Sequence, residues 1–267
     1  MIGNDPLDLN GQIAFVTGAG QGAGRATALT LAHHNAGGVA VNDFVLERAQ
    51  AVAEEIQALG VKAIPVQADV GDYDSVKAAM DTVRQSLGPV TLLVNNAGNA
   101  GPSAQMGLSP LFWEADPSEW DKFFHTNMYG VMNCCHQAMQ DMVQAQKGRI
   151  VTVISDAGRV GEARLAAYAA AKAAAAGLMR SLAKEGARFG ITANCISLST
   201  LEPLLDADKL EAFYANDQIK NQLSRYTIRR FGQSSDVANM ALFLCSDAAN
   251  WITGQTYPVN GGYSFTQ

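Results

Sequence analysis

Cysteine is scarce: Cys134, Cys135, Cys195 and Cys245 are the only four in 267 residues. They are too few and too irregularly spaced for a disulfide framework, and the neighbours Cys134 and Cys135 do not easily bridge each other. A reducing cytoplasm is the expected setting. Basic residues are also short, 19 Lys and Arg against 25 Asp and Glu, for a formal charge of -6 and a pI near 5.2. That balance gives no general attraction to phosphate backbones or anionic lipid, so neither nucleic acid nor membrane is an expected partner. Long apolar runs are missing too: the alanine-rich stretch 165–179 is interrupted by Lys172 and falls short of the roughly 20 apolar residues of a membrane span. The opening MIGNDPLDLNGQ has no basic segment followed by an apolar stretch and does not read as a secretory signal. With no proline-rich or glycine/serine linker, no charge run and no fixed-period repeat, residues 1–267 are expected to form a single domain.

What is present is a globular composition, 48% hydrophobic and 16% charged, which suits one large core and excludes disorder. The segment 12–17 (QIAFVT) is short, apolar and closed by glycines, as a buried parallel strand is, and a helical stretch over about 22–35 follows. Strand 38–42 precedes a helix with Leu46, Ala49, Val52, Ala53, Ile56 and Leu59 on one face. Strand 63–66, helix 74–87 and strand 91–94 repeat the alternation, and helix 117–145, strand 149–154, helix 165–189 and strand 192–196 extend it. Helices near 207–216 and 235–244 and a strand at 256–259 complete the chain. Regular β-α-β-α order predicts an α/β, doubly wound, mostly parallel, seven-stranded sheet with helices on both faces. Two long loops, 99–116 and 198–206, belong at the carboxyl ends of the strands, where ligands bind in such folds, and the second substrate segment is drawn as far as 220.

The first strand runs into Thr17-Gly18-Ala19-Gly20-Gln21-Gly22-Ala23-Gly24, where missing side chains permit a tight turn and close approach of a pyrophosphate to a helix N-terminus. Such a turn is by itself equally a structural feature. Asp43 alters the balance: it lies 19 residues after Gly24 at the end of the second strand, where a carboxylate accepts both hydroxyls of an adenosine ribose. The same charge repels a 2′-phosphate, and Gln21 and Phe44 offer no cation for one, so NAD is expected over NADP. A second constellation is Tyr168-Ala-Ala-Ala-Lys172, one face of a helix, with Ser155 thirteen residues earlier at a strand end. A tyrosine of pKa about 10 needs roughly 4 kcal/mol of phenolate stabilisation to fall by about 3 units. One positive charge at about 4 Å and an effective dielectric of about 20 contributes about that much, so Lys172 with an oxidised nicotinamide ring suffices.

These motifs resemble the short-chain dehydrogenase/reductase family, and the resemblance covers essentially the whole chain. Thr17-Gly18-(x)3-Gly22-x-Gly24 resembles its cofactor turn, Asp69-Val70 its adenine contact, Asn95-Asn96-Ala97-Gly98 its fourth-strand motif and Val259-Asn260-Gly261-Gly262 its C-terminal signature. Asn127, Ser155, Tyr168 and Lys172 match its tetrad in type, order and spacing. The resemblance implies a Rossmann-like fold and an NAD-dependent oxidoreductase that interconverts a secondary alcohol and a ketone. It makes Tyr168 the acid/base at the substrate oxygen and Ser155 that oxygen's hydrogen-bonding partner. Lys172 would hold the nicotinamide ribose and depress the Tyr168 pKa, and Asn127 would anchor a water that passes the proton onward. Gly18, Gln21, Gly22, Ala23, Gly24, Asp43, Phe44, Asp69, Val70, Asn96, Ala97, Gly98, Tyr168, Lys172 and Ser199 are the expected cofactor contacts.

Departures from the family pattern matter as well. Leu198-Ser199 and Pro203 stand where the family usually has Pro-Gly and a threonine; Ser199 or Thr200 would have to replace the missing hydroxyl. Asp156 stands where a small or neutral residue is commoner, either as a local turn residue or facing the substrate. Met106, Leu108, Leu111, Phe112 and Trp113 make the first long loop an apolar lid, or pack it on the body or a neighbouring subunit. With Leu198, Leu201, Leu204 and Leu205 they suggest a bulky apolar small-molecule substrate, alicyclic or steroid-like or a 3-hydroxyacyl thioester; Arg159 and Arg164 are surface residues or partners for an acidic handle. Apolar residues Trp120, Phe123, Val131, Met132, Cys135, Met139 and Met142 on one long helix and the alanines of 166–176 on another point to a homo-oligomer, a tetramer by family resemblance. No metal is expected, since Cys134, Cys135 and His136 are consecutive rather than at ligand spacing. Ser155 has no G-x-S-x-G elbow and no histidine placed by sequence to activate it, so a hydrolase triad is not supported. The alternative function is a nucleotide-binding regulatory protein of the same fold that has lost chemistry, prompted by the altered 198–203 segment and opposed by the intact tetrad.

Overall fold

Apolar runs bounded by glycines do pair here, and all in one direction. The computed structural model describes residues 5–101 and 109–265; Met106 and Leu108 of the expected lid lie outside the described residues. The first half alternates β1 (Ile13–Val16), α1 (Gly22–His33), β2 (Gly38–Asp43), α2 (Leu46–Ala58), β3 (Ala63–Gln67), α3 (Tyr73–Ser86) and β4 (Val90–Asn95). The second comprises α4 (Asp121–Phe124), α5 (Gly130–Ala145), β5 (Gly148–Ser155), α6 (Ala157–Val160), α7 (Ala166–Gly186) and β6 (Ile191–Leu198). It continues through α8 (Ala207–Ala215), α9 (Asp217–Ser224), α10 (Ser234–Cys245) and β7 (Thr256–Val259). The seven strands form one all-parallel sheet in the order β3-β2-β1-β4-β5-β6-β7. Strand order reverses between β1 and β4, which opens a crevice at their carboxyl ends.

Every residue of β2 and β6 is buried, as expected of strands covered on both faces. Alternation along β1 sends Ala14 and Val16 to one core, with Leu31, Ile56 and Leu242 of α1, α2 and α10, and Phe15 to the other, with Met80, Met142 and Met179 of α3, α5 and α7. Part of the α5 stripe anticipated as an oligomer surface is consumed in this second core: Val131, Cys135 and Met142 are buried within the chain, whereas Met132 is exposed.

Three local features depart from the periodicity reading. The helix expected over 117–145 is broken by a π turn at His125–Tyr129, where the Asn127 carboxamide donates to the carbonyls of Phe123 and Asn99, both at 2.8 Å, and accepts from the Asn99 N–H at 3.2 Å. Such turns interrupt helices where a side chain must be aimed inward. The sixth strand runs two residues past its expected end, because Leu198, unlike a proline, keeps an N–H and can pair with Ser155 and Val259. The helix expected near 207–216 forms as α8, but a second helix, α9, follows it unexpectedly, because its eight residues are mostly polar.

Candidate active site

The crevice at the β1–β4 switch point is lined by the glycine-rich turn and the ends of β2 and β4. Gly18 and Gly22 lie at φ +59° and +56°, the left-handed region that glycine enters without strain, and a Cβ on Gly24 would come within 2.1 Å of the Gly18 carbonyl. Thr17 Oγ1 accepts from the N–H groups of Asn96 and Ala97, and the Asn96 amide donates to the carbonyls of Thr17 and Gly18, all at 3.0 Å. Asn96, expected at the cofactor, thus commits its amide N–H groups to fixing the turn. Asp43 is buried at the end of β2, accepting from the N–H groups of Gly20 and Val45 at 3.0 Å each.

Asp43 opens on a cavity of about 480 Å³ that is also lined by Gly18, Gln21, Gly22, Phe44, Asp69, Val70, Ala97 and Gly98. It continues through Asn96, Gly98 and Asn99 into a second cavity of about 420 Å³ that ends on Ser155, Tyr168, Lys172 and Ser199. The groove fits an extended dinucleotide: side-chain-free backbone at its middle, a carboxylate at one end, and a hydroxyl cluster with an ammonium at the other. Its lining also includes polar residues that belong to no motif. Arg48 of α2 lies on the same wall as Asp43, and His125 Nε2 lies 3.1 Å from Asp69 Oδ2. A helix periodicity plot shows both only as polar positions.

At the reacting end α7 carries Tyr168 and Lys172 one turn apart, and β5 delivers Ser155. Lys172 is buried, and its Nζ donates to the Val153 carbonyl at 2.9 Å; a Cβ on Gly98 would lie 3.1 Å from that Nζ and 3.2 Å from Asn127 Oδ1. Absence of a side chain at Gly98 therefore lets the lysine and asparagine converge. Burial pulls the Lys172 ammonium down to about 8. Burial pushes the Tyr168 phenol above its ordinary value, opposed by a hydrogen bond with Ser155. The Lys172 Nζ lies 5.9 Å from the Tyr168 ring centroid and donates to the Val153 carbonyl.

Tyr168 stands where three cavities meet. Besides the cofactor groove, one of about 400 Å³ runs past Leu198 and Leu201 towards α8 and α9, and one of about 340 Å³ runs towards Phe112, Trp120 and Phe123. Phe112 stacks on Trp120 with centroids 5.4 Å apart, but Trp113, expected over the substrate, is 79% exposed and lines neither cavity. Leu204 lies over the cofactor groove near Gly22 rather than at the reacting end.

Comparison with known proteins fits this layout. Residues 18–264 match the family model described as Enoyl-(Acyl carrier protein) reductase. The chain is 41% identical over 251 residues to the 3-oxoacyl-(acyl-carrier-protein) reductase FabG of Staphylococcus aureus, covering 93% of this chain and 96% of that one. The chain belongs to the short-chain dehydrogenase/reductase family. It is also 33% identical over 262 residues to the 7alpha-hydroxysteroid dehydrogenase of Escherichia coli, covering 98% of each. Among solved structures it is similar to a 7alpha-hydroxysteroid dehydrogenase complexed with NADH and 7-oxo glycochenodeoxycholic acid (TM-score 0.86, 33% identity, 98% of both chains). It is likewise similar to a gluconate 5-dehydrogenase from Burkholderia cenocepacia in complex with NADP and tartrate (TM-score 0.85, 28% identity, 97% of both chains).

As a short-chain dehydrogenase/reductase the chain is an oxidoreductase acting between CH–OH and C=O with a nicotinamide cofactor. Its departures from the family pattern have structural partners. Ser199 Oγ lies 2.5 Å from the Tyr226 hydroxyl, which also accepts from the Thr200 N–H at 3.1 Å, while Gln222 donates to Thr200 Oγ1 at 2.9 Å. The two hydroxyls expected to serve the nicotinamide end are thereby engaged with Tyr226 and α9. Asp156 borders the larger substrate cavity, but its carboxylate is buried and receives Ser197 Oγ and Asn260 Nδ2 at 2.7 Å, Arg159 at 3.0 Å and Ser264 Oγ at 3.1 Å. It is more than a local turn residue, since it ties the β5 end to β6 and to the C-terminal segment. That segment puts Tyr263 into the cavity wall, a placement for which no sequence signal existed.

Proposed function

We propose that this short-chain dehydrogenase/reductase is an NAD-linked dehydrogenase, or ketone reductase, for a bulky and largely apolar secondary alcohol. The observation that carries the reading is the pair of cavities that open from Tyr168, about 400 and 340 Å³, walled by Leu165, Leu201, Phe112, Phe123 and Phe213. Space of that order holds an alicyclic or steroid-like body or an acyl chain, and apolar walls exclude water from the reacting carbon. The FabG relative's name refers to an acyl-carrier-protein substrate and the other to a hydroxysteroid, and both substrate types suit such walls.

When bound, nicotinamide supplies hydride exchange with the carbinol carbon. The chain's own groups handle the oxygen and its proton. Ser155 hydrogen bonds the substrate oxygen, and Tyr168, kept protonated at neutral pH by its burial, donates its proton to that oxygen in reduction and recovers it in oxidation. The Lys172 ammonium, still charged at neutral pH with its pKa near 8, holds the ribose hydroxyls, and Asn127 fixes the adjoining backbone at Asn99. Asp43 supports NAD over NADP, its negative charge occupying the place of a 2′-phosphate.

Comparing kcat/KM for small polar alcohols, alicyclic alcohols, hydroxysteroids and hydroxyacyl thioesters with NAD and with NADP tests the assignment. Best turnover of short polar alcohols or sugars overturns the size reading, and equal or better use of NADP overturns the cofactor reading. We further infer a cytoplasmic homo-oligomer, a tetramer, associated through the exposed Tyr129 and Met132 of the π turn and α5 and the small residues of α7. Light scattering that returns 28.3 kDa at micromolar concentration overturns it.

A further inference from the structure

The larger substrate cavity combines two chemically different kinds of polar group with an apolar lining. Its lining holds Ser155 and Tyr168, the apolar Leu201, Phe213 and Ile219, and the guanidiniums of Arg164 and Arg225. Among the described residues neither guanidinium has a carboxylate within 4.0 Å, whereas Arg159 beside them is paired with Asp156 at 3.0 Å. Arg164 donates to the Ser109 carbonyl at 2.7 Å, and Arg225 donates to the Tyr263 hydroxyl and lies 4.7 Å from that ring's centroid. Glu162 is the one other carboxylate on this wall, and it accepts from Tyr263 at 2.7 Å. With Asp156 neutralised by Arg159, two guanidiniums and one carboxylate remain in the lining, a surplus of one positive charge.

Backbone geometry singles out the same place. Arg164 lies at φ +68°, in the left-handed region that glycine or asparagine enters readily and a long side chain rarely does. Residues held in such strained regions cluster at functional sites.

We propose that the substrate is an organic anion, with its reacting carbon between Ser155 and Tyr168 and a carboxylate held in the same cavity by Arg164 and Arg225. The proposal rests on the reading of this cavity as the substrate's and adds a charge to the apolar body. A carboxylate neutralises the single surplus charge and matches the planar guanidinium fork. A phosphate monoester, at about -1.5 to -2, overshoots it.

The experiment uses matched pairs of ketones, each as the free acid and the primary carboxamide, in three sizes: acetoacetate, oxocyclohexanecarboxylate and a keto-steroid carboxylate. Initial rates with NADH are measured for the wild type, R164Q, R225Q and the double variant, with NADH fluorescence titration reporting the fold of each. The expected result is an acid-over-amide preference of about tenfold or more in kcat/KM, expressed in KM. It should shrink in each single variant, fall to near one in the double variant and weaken with added salt. A ratio near one in the wild type overturns the proposal, as does a preference that survives in a double variant that still binds NADH. The size of the best pair judges the underlying reading separately: small ketones turning over best with the acid preference intact refutes the bulky substrate and leaves the anion site supported. No turnover of any pair overturns both.

Discussion

The cofactor half and the substrate half of the site are built in different ways. Around the crevice, ligand-facing positions are held mainly by backbone and by contacts near strand ends: the glycine turn is locked by Thr17 and Asn96, and Asp43 is fixed by two N–H groups. Around the substrate cavity, positions are held by side chains bonded to other side chains. Asp156 reaches Asn260 and Ser264, Ser199 meets Tyr226, and Tyr263 meets Glu162. Backbone-built sites resist substitution because strand register carries them, whereas side-chain-built walls change shape when one partner is lost. A scaffold so divided can keep one cofactor chemistry while its substrate wall varies.

The largest effect should separate the halves outright. Tyr168→Phe removes the proton-transferring hydroxyl from the reacting end and nothing from the crevice, so kcat should fall about 10³-fold while NADH affinity changes little. Stopped-flow rates beside fluorescence titration check this, and retention of a tenth of wild-type activity would assign the proton to another group. Next in size is Asp156→Ala, which strands Arg159 without its buried partner and should cost about 3 kcal/mol, a visible fall in melting temperature. Hydrogen exchange should rise around 197–199 and 260–265 but not around 17–24; equal loosening of the glycine turn would break the comparison.

Lys172 belongs to both halves, and its test is one of pH. Its pKa in the folded protein, about 8, lies below the usual 10.5, so the folded state holds fewer protons than the unfolded state between those values. Stability contributed by this residue therefore rises with pH across that window, and the penalty is fully present below about 8. Lys172→Met should remove that rise and be more stable than the wild type at pH 7 by about 2 kcal/mol, net of the lost bond to Val153, while losing turnover. Denaturant melts at pH 7 and pH 10 decide it: a variant that matches the wild type's pH slope refutes the account. The smallest effect is expected at the far end of the crevice. Asp43→Ala should lower kcat/KM with NAD about tenfold and raise use of NADP, because Arg48 on the same wall is then unopposed. Adding Arg48→Ala should cancel the gain with NADP, and an unchanged cofactor ratio in the single variant would show that Asp43 does not set the preference.

Much of this protein was legible in the chain alone, for a reason that is local. Period-two and period-3.6 patterning reports which face of an element is buried, so the strand order of appearance, the doubly wound class and the glycine turn could be read from residues close in sequence. Tyr168 and Lys172 are neighbours because four residues make about one helical turn. What only tertiary structure decided depends on partners that no window contains. The π turn at Asn127 arises from the backbone of Asn99, 28 residues away. The place of Asp156 is set by residues 41, 104 and 108 positions away. Arg48, His125, Arg225 and Tyr263 carry no motif, and became wall residues only when helices and the C-terminal segment closed over the carboxyl ends of the strands. Periodicity records burial, but which polar residues face one another is fixed by how the packed layers meet.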